Sequence, residues 1–224
     1  MSDTHHDMPA DLVAHARAAK GWMPEDEGLL LHRVARARLP LGPVLEVGSY
    51  CGKSAVYLGA AALAVGGVVF TVDHHRGSEE IQPGWEHHDP EVVDATTGRM
   101  DSLPFLRRTL DSAGLEGVVV PIVGASAIVA AHWRTPLSMV FIDGGHADEP
   151  AQADYEGWAR WLMTGGALAI HDVFERPEEG GQAPYRVWQR AVARGVFAEL
   201  GSAERVGSLR VLTRVSGEPG DLVG

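Results

Sequence analysis

One cysteine, Cys51, stands among the 224 residues, so no disulfide can close within the chain and a disulfide-stapled or dithiol redox scaffold is excluded. A single thiol fits a reducing compartment, and a cytoplasmic location is expected. No apolar stretch reaches the roughly 18 residues that a spanning helix needs. The opening residues, MSDTHHDMPADL, lack a basic segment followed by an apolar one, so neither membrane insertion nor export is expected. Positive charge is also scarce: 19 Lys and Arg face 30 Asp and Glu, for a formal charge of −11, and no basic run is longer than Arg107-Arg108. A phosphate backbone would be repelled, and nucleic acid is not an expected partner.

What is present is ordinary for a folded protein. Hydrophobic residues make up 45% and charged residues 22%, close to globular averages, which excludes a disordered or fibrous chain. Residues 9–39 read as helical, with Pro24-Glu25-Asp26-Glu27 as a start signal and Leu29, Leu30, Val34 and Ala37 able to share a face; Pro40 and Gly42-Pro43 stop the run. From there, short runs rich in Val, Ile and Leu alternate with helix-like segments, the pattern of a parallel sheet covered on both faces. Strands are expected at 43–48, 67–73, 118–123, 137–142 and 166–171, with helices at 53–65, 102–114, 125–133 and 150–163. Phe197–Gly201 and Ser208–Val215 are too close in sequence for a crossover helix and should pair antiparallel. The fold class is therefore α/β: a doubly wound, mostly parallel seven-stranded sheet, Rossmann-like, ending in an antiparallel hairpin. The expected division is a helical extension over 1–40, a catalytic domain over 41–215 and a loose tail over 216–224. The N-terminal helices are candidates for a homodimer contact. Residues 74–101 form a long excursion with turn formers and four histidines, a length that is usually functional or mobile.

The first strand ends in Glu46-Val47-Gly48-Ser49-Tyr50-Cys51-Gly52-Lys53-Ser54 and enters a helix directly. Ligands of open α/β sheets bind beyond the carboxyl ends of the strands beside the first one, and Gly48 and Gly52 would let the backbone approach a ligand there. Asp73 ends the second strand, where a carboxylate can accept hydrogen bonds from both ribose hydroxyls of an adenosine. The spacing G-x-x-x-G differs from the G-x-G-x-x-G of pyrophosphate binders, which weakens an NAD-binding oxidoreductase as the alternative.

Taken together, LEVGSYCGKSAV, VFTVD, VGAS, FIDGGH and GGALAIHDV resemble the class I S-adenosylmethionine-dependent methyltransferases, and most of all the small-molecule O-methyltransferases of the catechol and natural-product sugar types. The resemblance runs over residues 43–173. It implies S-adenosylmethionine as cofactor, with Gly48 and the Tyr50 backbone at its methionine moiety, Ser54 at its carboxylate, Asp73 at the ribose and Ser126 at the adenine edge. Glu46, Gly52 and Asp143 complete the cofactor-side set, Glu46 by ordering the turn. Cys51 is read as a small residue that fits.

Asp143 and Asp172 close the fourth and fifth strands, which are neighbours in this sheet order, so their carboxylates should converge. Two ionised carboxylates together require either a raised pKa or a cation between them. Mg²⁺ suits two oxygens, waters and a chelating substrate, and His171 would shift the preference toward a transition metal. The expected metal set is Asp143, Asp172 and His171. His146, where catechol-type relatives carry a lysine base, is the expected general base, with Asp143 beside it in the catalytic set. Trp85 is the one tryptophan of those at 85, 133, 158, 161 and 188 that is read as a pocket wall. Methyl transfer to a hydroxyl of a small molecule is the leading reading, and a metal-dependent hydrolase built on the Asp and His cluster is the other alternative.

Overall fold

The computed structural model describes residues 8–78, 82, 84, 88–199 and 205–223. Among them, Val44–Val47 (β1), Val69–Asp73 (β2), Val119–Val123 (β3), Leu137–Ile142 (β4) and Leu162–Ile170 (β5) pair in parallel. Phe197–Ala198 (β6), Arg205–Val206 (β7) and Leu209–Arg214 (β8) complete the sheet antiparallel, in the order β3-β2-β1-β4-β5-β8-β6 with β7 paired to β8. β1 and β4 are buried along their whole length, as expected of strands covered on both faces. Pro121 sits in β3 because β3 is the sheet edge, where a missing donor costs no ladder bond.

Two apolar layers flank the sheet. Ala10–Ala18 (α1), Glu25–Arg38 (α2) and Lys53–Val65 (α3) cover one face, with Leu103–Ser112 (α4) beside them, and bury Leu12, Leu30, Leu31 and Val34 against Phe141, Ala169 and Val211. Ser126–His132 (α5), Asp148–Trp158 (α6) and Ala183–Ala193 (α7) cover the other, around Trp158, Tyr155 and Phe197. Gly28 lets α2 lie directly on α3, since a Cβ there would stand 2.3 Å from the Tyr57 ring.

Several expectations shift. The helix expected over 9–39 is two, because Pro24 starts α2 and residues 19–24 turn between them. The fifth strand begins at Leu162 rather than 166: the pair Gly165-Gly166 is a strand irregularity, with Gly165 at φ +85°, and β4 shifts register opposite it. α7 was not expected, although Ala183, Val187 and Ala191 carry its period and bury its face. Among the described residues the sheet has eight strands where seven were expected, because Gly207 (φ +50°) folds β7 tightly onto β8. No described helix is long and apolar enough to cross a membrane.

Candidate active site

The carboxyl ends of β1 and β4 meet at Gly48. Its φ is +94°, and a Cβ would lie 2.1 Å from the Asp143 carbonyl oxygen, so the glycine is required by the close approach of the backbone that leaves β4. Gly52, also at φ +94°, makes room for Leu106 of α4. Both glycines thus answer to chain packing first, where the sequence suggested ligand approach. Between them Tyr50 holds φ +43° and donates its N–H to Asp73 Oδ2 at 2.9 Å, while the His75 N–H donates to Asp73 Oδ1 at 2.7 Å. Each Asp73 oxygen is oriented by one backbone donor and keeps a second lone pair.

Glu46 is fully buried inside β1, and burial pushes its carboxyl up to about 7, with the Ser54 and Thr71 hydroxyls opposing. Thr71, its register partner on β2, donates to it and is 2.5 Å from Ser49 Oγ. Ser54 thereby faces Glu46, and Ser126 lies in a second buried group: its hydroxyl donates to Asp154 at 2.5 Å and accepts from Trp158 Nε1 at 2.8 Å. Burial raises the Asp154 carboxyl to about 6. Burial likewise drives the Cys51 thiol up to about 12, so it stays protonated and inert.

The acids and histidines converge beyond β4 and β5. One ligand atom each from Asp143, His146 and Asp172 lie within 4.8 Å of one another. His146 Nε2 is 3.1 Å from Asp172 Oδ2. Asp172 itself holds φ +54°, a conformation that costs a non-glycine residue about 1–3 kcal/mol and is kept where the surroundings fix it. The structure gives His171 a different place from the metal-ligand role expected of it. Its Nε2 is 2.6 Å from Glu27 Oε2, and its Nδ1 is 2.9 Å from Asp143 Oδ1 and 3.5 Å from Asp172 Oδ2. Both nitrogens are committed to carboxylates, so His146 takes its place in the convergent group. Burial opposes charge on His171, yet Asp143, Asp172 and Glu27 together raise it well above its ordinary value. Burial would raise Asp172, but His146 and His171 hold it well below the usual carboxylate range. A cation between the carboxylates is thus supplied by the chain itself, an option that counting acids alone did not include.

A cavity of about 770 Å³ opens beside Asp172, walled by Trp22 and Pro24 from the α1–α2 turn, Phe174 and Arg176 after β5, and Ser208 and Arg210 from the hairpin. Trp22 also stacks on Tyr50, 5.0 Å between ring centroids. The sequence singled out other tryptophans: Trp133, Trp158, Trp161 and Trp188 pack in the α5–α7 layer, and Trp85 and His87 lie outside the described residues. The signal for Trp22 was its place between a helix end and the Pro24 start, at the same sheet end as the glycine turn. Of the loop histidines, His75 is buried, with Nδ1 2.7 Å from Ser102 Oγ, and His74 is exposed. The later part of the excursion packs onto the glycine turn: Lys20 pairs with Asp89 (2.7 Å) and Glu91 (2.6 Å), and Val92 and Met100 bury Cys51.

Residues 45–173 match a family described as a methyltransferase domain. The chain belongs to that family. It is an S-adenosylmethionine-dependent methyltransferase, and the hydrolase and oxidoreductase alternatives have no support. Its fold is shared with solved structures. The SAH-bound methyltransferase PaMTH1 of Podospora anserina has a TM-score of 0.66 at 16% identity, covering 93% of this chain and 89% of that one. Cofactor-bound Rv0187 from MTB has a TM-score of 0.63 at 18% identity, with coverages of 93% and 89%. An O-methyltransferase from Bacillus cereus in complex with SAH has a TM-score of 0.59 at 16% identity, with coverages of 96% and 92%.

Proposed function

We propose that this methyltransferase transfers the methyl group of S-adenosylmethionine to a hydroxyl of a small molecule bound in the cavity beside Asp172. The observation that carries this reading is the convergence of Asp143, His146 and Asp172 within 4.8 Å at the strand ends next to the glycine turn. The sulfonium already makes the methyl carbon electrophilic; what the protein must add is alignment and an oxygen relieved of its proton. His146 takes that proton, and the ionised Asp172, 3.1 Å from Nε2, stabilises the imidazolium that forms. Asp73 receives the ribose diol on the lone pairs that Tyr50 and His75 leave open.

As an alternative to His146 acting as the base, the same three residues would fit a divalent ion. Two neighbouring ligands of an octahedral ion at about 2.1 Å stand about 3 Å apart, close to the His146–Asp172 separation of 3.1 Å. When bound, such an ion would act as a Lewis acid that lowers the pKa of the acceptor hydroxyl.

A thermal-shift comparison with S-adenosylmethionine and with NAD tests the cofactor, and only the former should raise the melting temperature. Transfer of a radiolabelled methyl group to a panel of phenolic and glycosidic hydroxyl compounds tests the acceptor class. His146→Ala should lower turnover by about 10²-fold or more while cofactor affinity measured by calorimetry holds. Asp73→Ala should weaken S-adenosylmethionine binding at least several-fold in a variant that still unfolds cooperatively; unchanged affinity would remove the ribose assignment.

A further inference from the structure

Glu27 lies on α2, outside the matched span 45–173, and is buried to 3% exposure. A carboxylate so enclosed needs donors, and the chain provides them from two distant segments. The Ser208 N–H donates to Oε1 at 2.7 Å, with the Ser208 hydroxyl 3.2 and 3.3 Å from the two oxygens, and His171 Nε2 donates to Oε2 at 2.6 Å. The hairpin is shaped around this side chain. Gly207 has φ +50°, and a Cβ there would stand 2.0 Å from Glu27 Oε1. On the far side of the imidazole, Nδ1 faces Asp143 Oδ1 at 2.9 Å. Ser208 Oγ also reaches Asp172 Oδ1 at 3.4 Å, so the Glu27 anchor touches both acids of the convergent group.

An imidazole can swing about its χ angles unless both edges are held. Carboxylates at both nitrogens fix the ring plane, with a hydrogen bond at each edge. We infer that Glu27 is a positioning residue of the methyl-transfer site: anchored by Gly207-Ser208, it holds His171 so that Nδ1–H fixes the Asp143 carboxylate, leaving the remaining Asp143 oxygen and His146–Asp172 aimed at one point. The N-terminal helices and the terminal hairpin thereby complete a site whose other members lie at the ends of β4 and β5. This rests on the methyl-transfer reading for its purpose, but its geometry can be tested without an acceptor.

Nitrogen-15 histidine-labelled full-length protein provides the measurement. The wild type should show two slowly exchanging ring N–H signals from His171. In Glu27→Gln the amide can still accept from Ser208 and can donate to Nε2, so the Nε2–H signal should vanish while Nδ1–H remains. In Glu27→Ala both should be lost to exchange, with S-adenosylmethionine affinity by calorimetry within about twofold of wild type. Persistence of Nε2–H in the glutamine variant, or of Nδ1–H in the alanine variant, would overturn the assignment, and the glutamine variant decides it alone if the alanine variant fails to fold. With any hydroxyl acceptor found in the methylation panel, kcat should fall at least about tenfold in Glu27→Ala at unchanged KM and recover in Glu27→Gln; equal kcat in all three proteins would remove the functional role. A wild type that binds no S-adenosylmethionine would instead count against the methyl-transfer reading and leave the spectra interpretable.

Discussion

At the scale of the residue, Glu46 is the sharpest conflict between local preference and fold, a carboxylate with no exposure in the middle of an otherwise apolar strand. Burial pushes its pKa up to about 7 in the fold, from the ordinary 4.5. A folded value above the unfolded one means that the native state binds the extra proton, so this contribution to stability is full below pH 4.5 and is lost as pH rises through 7. Between pH 5 and pH 8 the loss amounts to about 2–3 kcal/mol. Glu46→Gln removes it, so the unfolding free energy of the variant relative to wild type should rise by that amount over the same interval in urea melts. A difference that stays flat with pH would show the carboxyl ionising with ordinary acidity. Glu46 could be flagged in the sequence because a strand ends a turn there, and Asp73, Asp143 and Asp172 were legible for the same reason: strand ends are read from apolar runs. Glu27 was not. In sequence it is one of three acids opening a helix, where negative charge suits the helix dipole, and nothing local distinguishes it from Glu25, which pairs with Arg17 near the surface. Only the long-range register with Ser208 and His171 does.

Elements were legible where period and boundary signals agreed. β4 and α3 fall on their expected limits, since LSMVFI is a continuous apolar run and Gly66 stops the helix in the left-handed region. The places that failed were glycines with tertiary reasons. The fifth strand was expected to start at Gly166, whereas Gly165-Gly166 is an irregularity inside a strand that starts at Leu162, and Gly207 was a connection whose use depends on Glu27. Gly28 is a third such case and allows a direct test. By propensity, alanine should favour the middle of an exposed helix by about 1 kcal/mol. Here the added methyl would press on the Tyr57 ring at 2.3 Å, and Tyr57 is 1% exposed with no room to withdraw. Overpacking of a filled core costs about 1–3 kcal/mol, so the clash should win. Gly28→Ala is expected to lower the urea midpoint, and a raised midpoint would mean that α2 and α3 can part without loss.

The whole molecule raises the question of what α1 and α2 are to the rest of the chain. The break in composition at Pro40–Pro43 invites a boundary between a helical extension and a catalytic unit, and the matched family span begins only at residue 45. Packing argues for unity. Leu12, Leu30, Leu31 and Val34 are buried against the same sheet face as Phe141, Ala169 and Val211, with Tyr57 and Leu58 of α3 between. Four such side chains at about 1.5–3 kcal/mol each represent about 6–12 kcal/mol, which equals the entire stability of an ordinary domain. Loss of the two helices also strips Glu27 from His171 and Trp22 from Tyr50, so the proposed transfer site would open along with the core. A chain beginning at Pro43 is therefore expected to lack a cooperative thermal transition, to bind a hydrophobic dye, and to show no calorimetric response to S-adenosylmethionine. If it instead melts cooperatively and binds the cofactor as the full chain does, the helices are an appendage, the core is held by β1–β5 and their own helices, and the share of the energy assigned here to α2 is wrong.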